Sequence, residues 1–175
     1  MTAFVPGLPL PAEYNPAFAG YIAKAQSFAD PIRKLDQQLD EVMTVLRPLN
    51  ATQRLRRYAP DKWSVQELVG HLIDAERIFA YRALRIGRGD STPLAGFDEN
   101  AYVPAAQAEK CDWSDLLTEF EHVRMSSVLL FQNLPREAWV RVGTSNGSSL
   151  SVRALAYIMI GHVAHHIDIL RDRYL

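Results

Sequence analysis

The sequence predicts an all-α fold, a bundle of four long helices. Apolar residues recur every three to four positions over four separate stretches, helix-start signals open them, and a single short segment alternates like a strand. A chain of 175 residues with 48% hydrophobic content suits one domain around one core. A chain of roughly 150 residues already buries about two-thirds of the surface its unfolded form exposes.

Residues 1–29 are expected to form an N-terminal arm, and residues 30–175 the bundle domain. The first 16 residues hold four of the ten prolines. They read as an extended arm along the domain surface, leading into a short helical turn around Ala17 to Phe28. Asp30-Pro31 then supplies an N-cap followed by proline at the first helical position. Leu35, Leu39, Val42, Val45, Leu46 and Leu49 follow at helical spacing up to a stop around Pro48.

The second helix opens with a capping box. Ser64 can bond the amide of Glu67 while the Glu67 carboxylate reaches back, and Trp63 with Leu68 has the spacing of a hydrophobic staple. Leu68, Leu72, Ala75, Phe79, Ala83 and Ile86 make one stripe, ending near Gly87 or Gly89. His71 sits at the edge of that stripe, on the side of Glu67, Asp74 and Ile78.

The stretch Arg88 to Lys110 carries Gly89-Asp90, Thr92-Pro93, Gly96 and Pro104, and reads as a long loop covering one end of the bundle. A third helix is predicted from about Asp112 to Leu134, with Leu116, Phe120, Val123, Leu130 and Leu134 inward. Trp139-Val140-Arg141-Val142 alternates and Asn146-Gly147 favours a tight turn, which is compatible with a short hairpin before the last helix. The last helix is predicted from about Ser151 to Arg173.

Charge and cysteine usage exclude several function classes. The net charge of −1 comes from 19 basic and 20 acidic residues mixed along the chain, which supports neither nucleic-acid nor polybasic membrane binding. Cys111 is the sole cysteine, so no intrachain disulfide forms and a reducing cytoplasm is expected. Pro6, Pro9 and Pro11 break the N-terminal segment, which lacks the pattern of a signal peptide. No apolar run approaches the roughly 20 residues of a membrane-spanning helix.

The chemistry lies in Gly161-His162-Val163-Ala164-His165-His166. On a helix His166 lies about 40° from His162, and His165 about 60° to the other side. Val152, Leu155, Met159, Val163, Ile169 and Leu170 centre the buried arc near His162 and His166, and Arg153 and Arg171 mark the solvent side. One histidine on an apolar face reads as a core residue with a single hydrogen bond. Two bring four ring nitrogens into a place where an unpaired polar group costs roughly 1–3 kcal/mol, and a shared metal satisfies both rings. A metalloprotease helix would carry Glu after the first histidine, where this chain has Val163. Candidates for a third ligand are His71, His122 and the carboxylates Glu67, Asp74 and Glu76. His122 points away from the apolar face of its helix, and His71 is better placed. Asp74 could orient a ligand.

Taken together, Lys62 to Glu76, with its Trp-Ser start and His71-Leu72-Ile73-Asp74, and the His-x-x-His-His of residues 162–166 resemble the DinB family of the DinB/YfiT-like metalloenzymes. Thr92-Pro93-Leu94, Phe97-Asp98, Tyr102 and Leu150 to Leu155 also resemble that family's connecting segments, and the resemblance covers roughly Leu35 to Leu170. It implies an up-and-down four-helix bundle, a three-histidine site at His71, His162 and His166, and a homodimer. Ile169 stands where many members have Gln.

Three imidazoles leave a coordination position open, so the first expectation is a metal-dependent enzyme acting on a small molecule. Its reaction would be hydrolysis or, as the resemblance implies, S-transfer from a low-molecular-weight thiol. Zinc is the default ion; nickel, iron(II) or manganese fit the same ligands. Asp74, Glu67 and His165 are candidate proton acceptors. The second expectation is a non-catalytic helical dimer held together by its histidines, or sensing stress through them.

Overall fold

The computed structural model describes residues 5–175, so the first four residues of the expected arm lie outside the described part. Two short 3-10 turns, Pro11–Glu13 and Pro16–Phe18, lead into α1 (Ala19–Ala25). α2 (Pro31–Leu46) starts as expected, with Asp30 accepting from the amide of Arg33 and Pro31 in the first turn. A single turn, α3 (Ala51–Arg54), follows behind an Asn50/Gln53 capping box. α4 (Val65–Gly87) opens on the Ser64/Glu67 box. Then come α5 (Glu99–Ala106), α6 (Trp113–Gln132), the hairpin β1 (Val142–Ser145) and β2 (Ser148–Ser151), and α7 (Val152–Ile169), which ends in a π-helical turn over Leu170–Tyr174.

α2, α4, α6 and α7 form a four-helix bundle. α6 and α7 each pack against both α2 and α4, so α2 faces α4 across the axis and α6 faces α7. The order round the bundle is therefore α2, α6, α4, α7, not the order of the sequence. Short connections force consecutive helices to be neighbours. Here residues 47–64, between α2 and α4, and 133–151, between α6 and α7, are long enough for the chain to cross to the far side, whereas residues 88–112 join the neighbours α4 and α6. Among the described residues no helix is long and apolar enough to cross a membrane.

The predicted stripes are the buried faces. Leu35, Leu39, Val42 and Leu46 of α2 and Leu68, Leu72, Ala75, Phe79, Ala83 and Ile86 of α4 all lie in the core. α1 adds Ile22 and Ala25 to the same core and packs along α7. Arg153, expected on the solvent side, instead donates to both carboxylate oxygens of Glu13 and to the Pro6 carbonyl, tying the N-terminal segment to the start of α7.

Two segments differ from their sequence reading. Residues 88–110 are not a structureless loop: α5 and a 3-10 turn at Ala108–Lys110 lie along α4. Pro104 reads as a breaker, yet sits inside α5, whose start is capped by Asp98 accepting from Asn100 and Ala101. The hairpin does turn at Asn146-Gly147, both with positive φ (48° and 73°). Its first strand, however, begins only at Val142. Trp139 is 1% exposed and belongs to the core, packed against Phe131. The alternation from Trp139 to Val142 therefore reflects a core anchor followed by a turn.

One polar group lies at the heart of the bundle. Arg124 of α6, fully buried, donates to Glu76 of α4 (2.9 Å) and to Gln38 of α2 (3.0 Å). Gln38 in turn donates to the Ile160 carbonyl of α7. The network thus joins all four bundle helices.

Candidate metal centre

The capping box fixes the start of α4, and Gln66 clamps it by donating to the carbonyls of Ala108 and Cys111. His71 follows within two turns. α7 is the neighbour of α4 and presents His162 and His166 one turn apart on the facing side. The three ring centroids lie 4.6–5.0 Å from one another. One ligand atom from each ring falls within 4.8 Å of the others, the one such group of histidine, cysteine or acidic side chains found among the described residues.

The donor set fits a cation. Nε2 of His71 and Nε2 of His162 are 3.0 Å apart. Metal–nitrogen bonds of about 2.0–2.1 Å would put two ligand nitrogens about 2.9 Å apart at a right angle and about 3.4 Å apart at the tetrahedral angle. Among the described residues the ring nitrogens of His166 have no hydrogen-bond partner; its contacts are with other rings. Burial drives the His71 pKa down to about 4, with Glu99 opposing, and that of His166 down to about 3. Burial and then the neighbouring histidines hold His162 well below its ordinary value. All three rings are neutral at pH 7, the state in which imidazole ligates a metal.

The triad opens on a cavity of about 270 Å³. Trp63 forms one wall, its ring 4.8 Å from that of His71. Tyr21 of α1 meets the His162 ring edge-on at 5.4 Å, and Phe79 does so at 5.6 Å from α4. Glu99, at the start of α5, and Arg82 of α4 bring the charged groups. Burial, and secondarily the nearby Glu99, raise the Tyr21 pKa and keep its phenol protonated.

The DinB superfamily model matches residues 34–170. The chain belongs to the DinB superfamily. A solved structure with a similar fold is YfiT from Bacillus subtilis, described as a probable metal-dependent hydrolase with an unusual four-helix bundle topology. It superposes with a TM-score of 0.73 at 15% identity, covering 94% of this chain and 91% of YfiT. At that identity the likeness speaks for the fold. No curated protein sequence matches the chain.

Within this DinB-superfamily chain, the structure sorts the other candidates. His122 is exposed on α6, away from the triad. Glu76 is spent on Arg124. Glu67 serves the capping box and accepts from Arg57, and it belongs to neither the histidine cluster nor the cavity wall. Asp74 lies outside the cavity wall; burial raises its pKa, and its charged neighbours are Arg77 and Glu119. His165 flanks the site, its ring 5.1 Å from that of His166 and 5.5 Å from Tyr21. Sequence reasoning missed Glu99, Arg82 and Tyr21. Glu99 and Tyr21 sit in segments read as loop and arm, and no spacing rule reaches across them. Arg82 carried a usable signal: eleven residues after His71, it returns to nearly the same helix face.

Proposed function

We propose that this protein is a metal-dependent hydrolase of a small molecule, with His71, His162 and His166 holding one divalent cation. The observation that carries the reading is the convergence of three neutral imidazoles on a cavity rather than on a closed protein shell. A structural ion would take a fourth protein ligand. Among the described residues the cluster has three members.

A divalent cation held there supplies Lewis acidity, polarising a carbonyl and bringing the pKa of water toward 7. The chain's own groups do the rest. Glu99 shares the cavity with the triad and is close enough to raise the His71 and Tyr21 pKa values, which makes it the carboxylate best placed to accept a proton from the attacking water. Tyr21, protonated, can donate a hydrogen bond to oxygen of the substrate. Trp63, Phe18 and Phe79 make the walls apolar, which strengthens each of these interactions by excluding water. Zinc is the preferred ion for three imidazoles, with nickel, iron(II) and manganese as the competitors.

The test loads chelator-stripped protein with each of these ions in turn and measures acid release from small esters and amides. Hydrolysis that requires a cation and disappears in His162→Ala is the expected result. Hydrolysis that survives loss of all three histidines overturns the reading. Turnover that appears only with an added low-molecular-weight thiol replaces it by S-transfer.

A further inference from the structure

Along α4, His71, Ala75, Phe79 and Arg82 all line the cavity. Steps of four, four and three residues keep them on one face, with about 16 Å of helix between the end positions. Arg82 is 5% exposed. Its Nη2 donates to the Ala95 carbonyl (3.0 Å), and its guanidinium lies over the Phe97 ring. Among the described residues no carboxylate pairs with it. Burial lowers its pKa.

A second polar group belongs to the same wall. Ser145 of β1 is 6% exposed, lines the same cavity, and its Oγ has no hydrogen-bond partner. Leu94 pairs with Ser145 in a parallel bridge, so Ser145 is held beside Ala95, whose carbonyl fixes the guanidinium. A buried guanidinium without a counter-ion and a buried hydroxyl without a partner are both unfavourable. An anion offering two oxygens satisfies both.

We propose that Arg82 and Ser145 form an anion-binding subsite that takes the carboxylate of a small monocarboxylic substrate, placing its far end at the histidine triad. The inference rests on the hydrolase reading for what happens at that far end, and for the subsite on Arg82, which has no carboxylate partner among the described residues, and on the unbonded Ser145 hydroxyl. A monoanion fits better than a phosphate. Arg82 is the one arginine or lysine among the residues of the wall, and Glu99 in the same cavity disfavours a second negative charge. Phe79 and Phe97 offer an apolar surface for the body of such an acid.

The test is calorimetric binding of benzoate and of its uncharged analogue benzamide to the protein, once zinc-loaded and once chelator-treated. Benzoate is expected to bind at least about tenfold more tightly than benzamide, with the preference removed by Arg82→Gln and reduced about threefold by Ser145→Ala, in both metal states. His71→Ala should leave the preference intact. Equal binding of the two probes, or a benzoate affinity that follows zinc and ignores both Arg82→Gln and Ser145→Ala, overturns the subsite. Failure of the protein to bind zinc sinks the hydrolase reading instead and leaves the benzoate comparison decisive for Arg82. Ser145→Ala removes one oxygen atom, so it reports on the subsite even where Arg82→Gln folds poorly.

Discussion

Gly161 of α7 lies directly beneath Tyr21 of α1: a Cβ at Gly161 would stand 1.9 Å from the Tyr21 carbonyl oxygen. The residue preceding the first histidine of the cluster therefore has to be glycine for α1 to rest on α7. Through that contact the Tyr21 ring reaches His162.

Gly161→Ala is expected to displace α1, because the clash is with backbone and cannot be relieved by rotating a side chain. The cost should be about 1–3 kcal/mol or more, read as a lowered melting temperature. Residues 26–30, between α1 and α2, should become open to proteolysis. A variant with unchanged melting and unchanged proteolysis would show that α1 does not need this approach.

The Arg124–Glu76 pair, 0% and 2% exposed, is expected to behave as a buried ion pair. Removing one charge, as in Glu76→Gln, should cost about 3–5 kcal/mol in denaturant unfolding, because the other is left without compensation. Replacing both by apolar residues, Glu76→Leu with Arg124→Met, should cost less than either single change. Additive losses would argue that the two charges are not coupled.

The histidines set an acid limit for the metal-free protein. In the unfolded chain they titrate near 6.5, whereas the folded state holds His71 at about 4 and His166 at about 3. Between those values the unfolded chain binds protons that the folded chain refuses, so stability is complete above about pH 6.5 and falls as pH drops toward 4 and 3. Urea midpoints from pH 7.5 to 4 should show the loss, and it should shrink in His71→Ala. A flat profile would mean that the rings are far less buried in solution.

Glu99→Gln is expected to lower turnover about 10²–10⁴-fold while leaving the cation content unchanged. Paired metal analysis and steady-state kinetics separate the two readouts. Loss of the cation in Glu99→Gln would make Glu99 a ligand instead of a proton acceptor.

The four bundle helices and the histidine pair were legible in the sequence because each depends on spacing within one helix: Leu68 to Ile86, or His162 with His166. The partnership of α4 with α7 was not, since the order of helices round an axis depends on packing between distant faces. The resemblance to the DinB family singled out His71 among the candidates that spacing left open. Arg124 was invisible for a related reason. An arginine in an amphipathic helix reads as solvent-facing unless its partners, Glu76 and Gln38 on two other helices, are known. Glu99 was hidden by Pro104, which made a short helix read as loop.

The most direct measurement is metal content with absorption-edge spectroscopy on purified protein, wild type beside His71→Ala, His162→Ala and His166→Ala. One divalent cation per chain, bound through nitrogen and lost in every variant, is the expected result. A wild-type protein that takes up no cation after loading, or variants that keep theirs, would contradict a shared three-histidine centre.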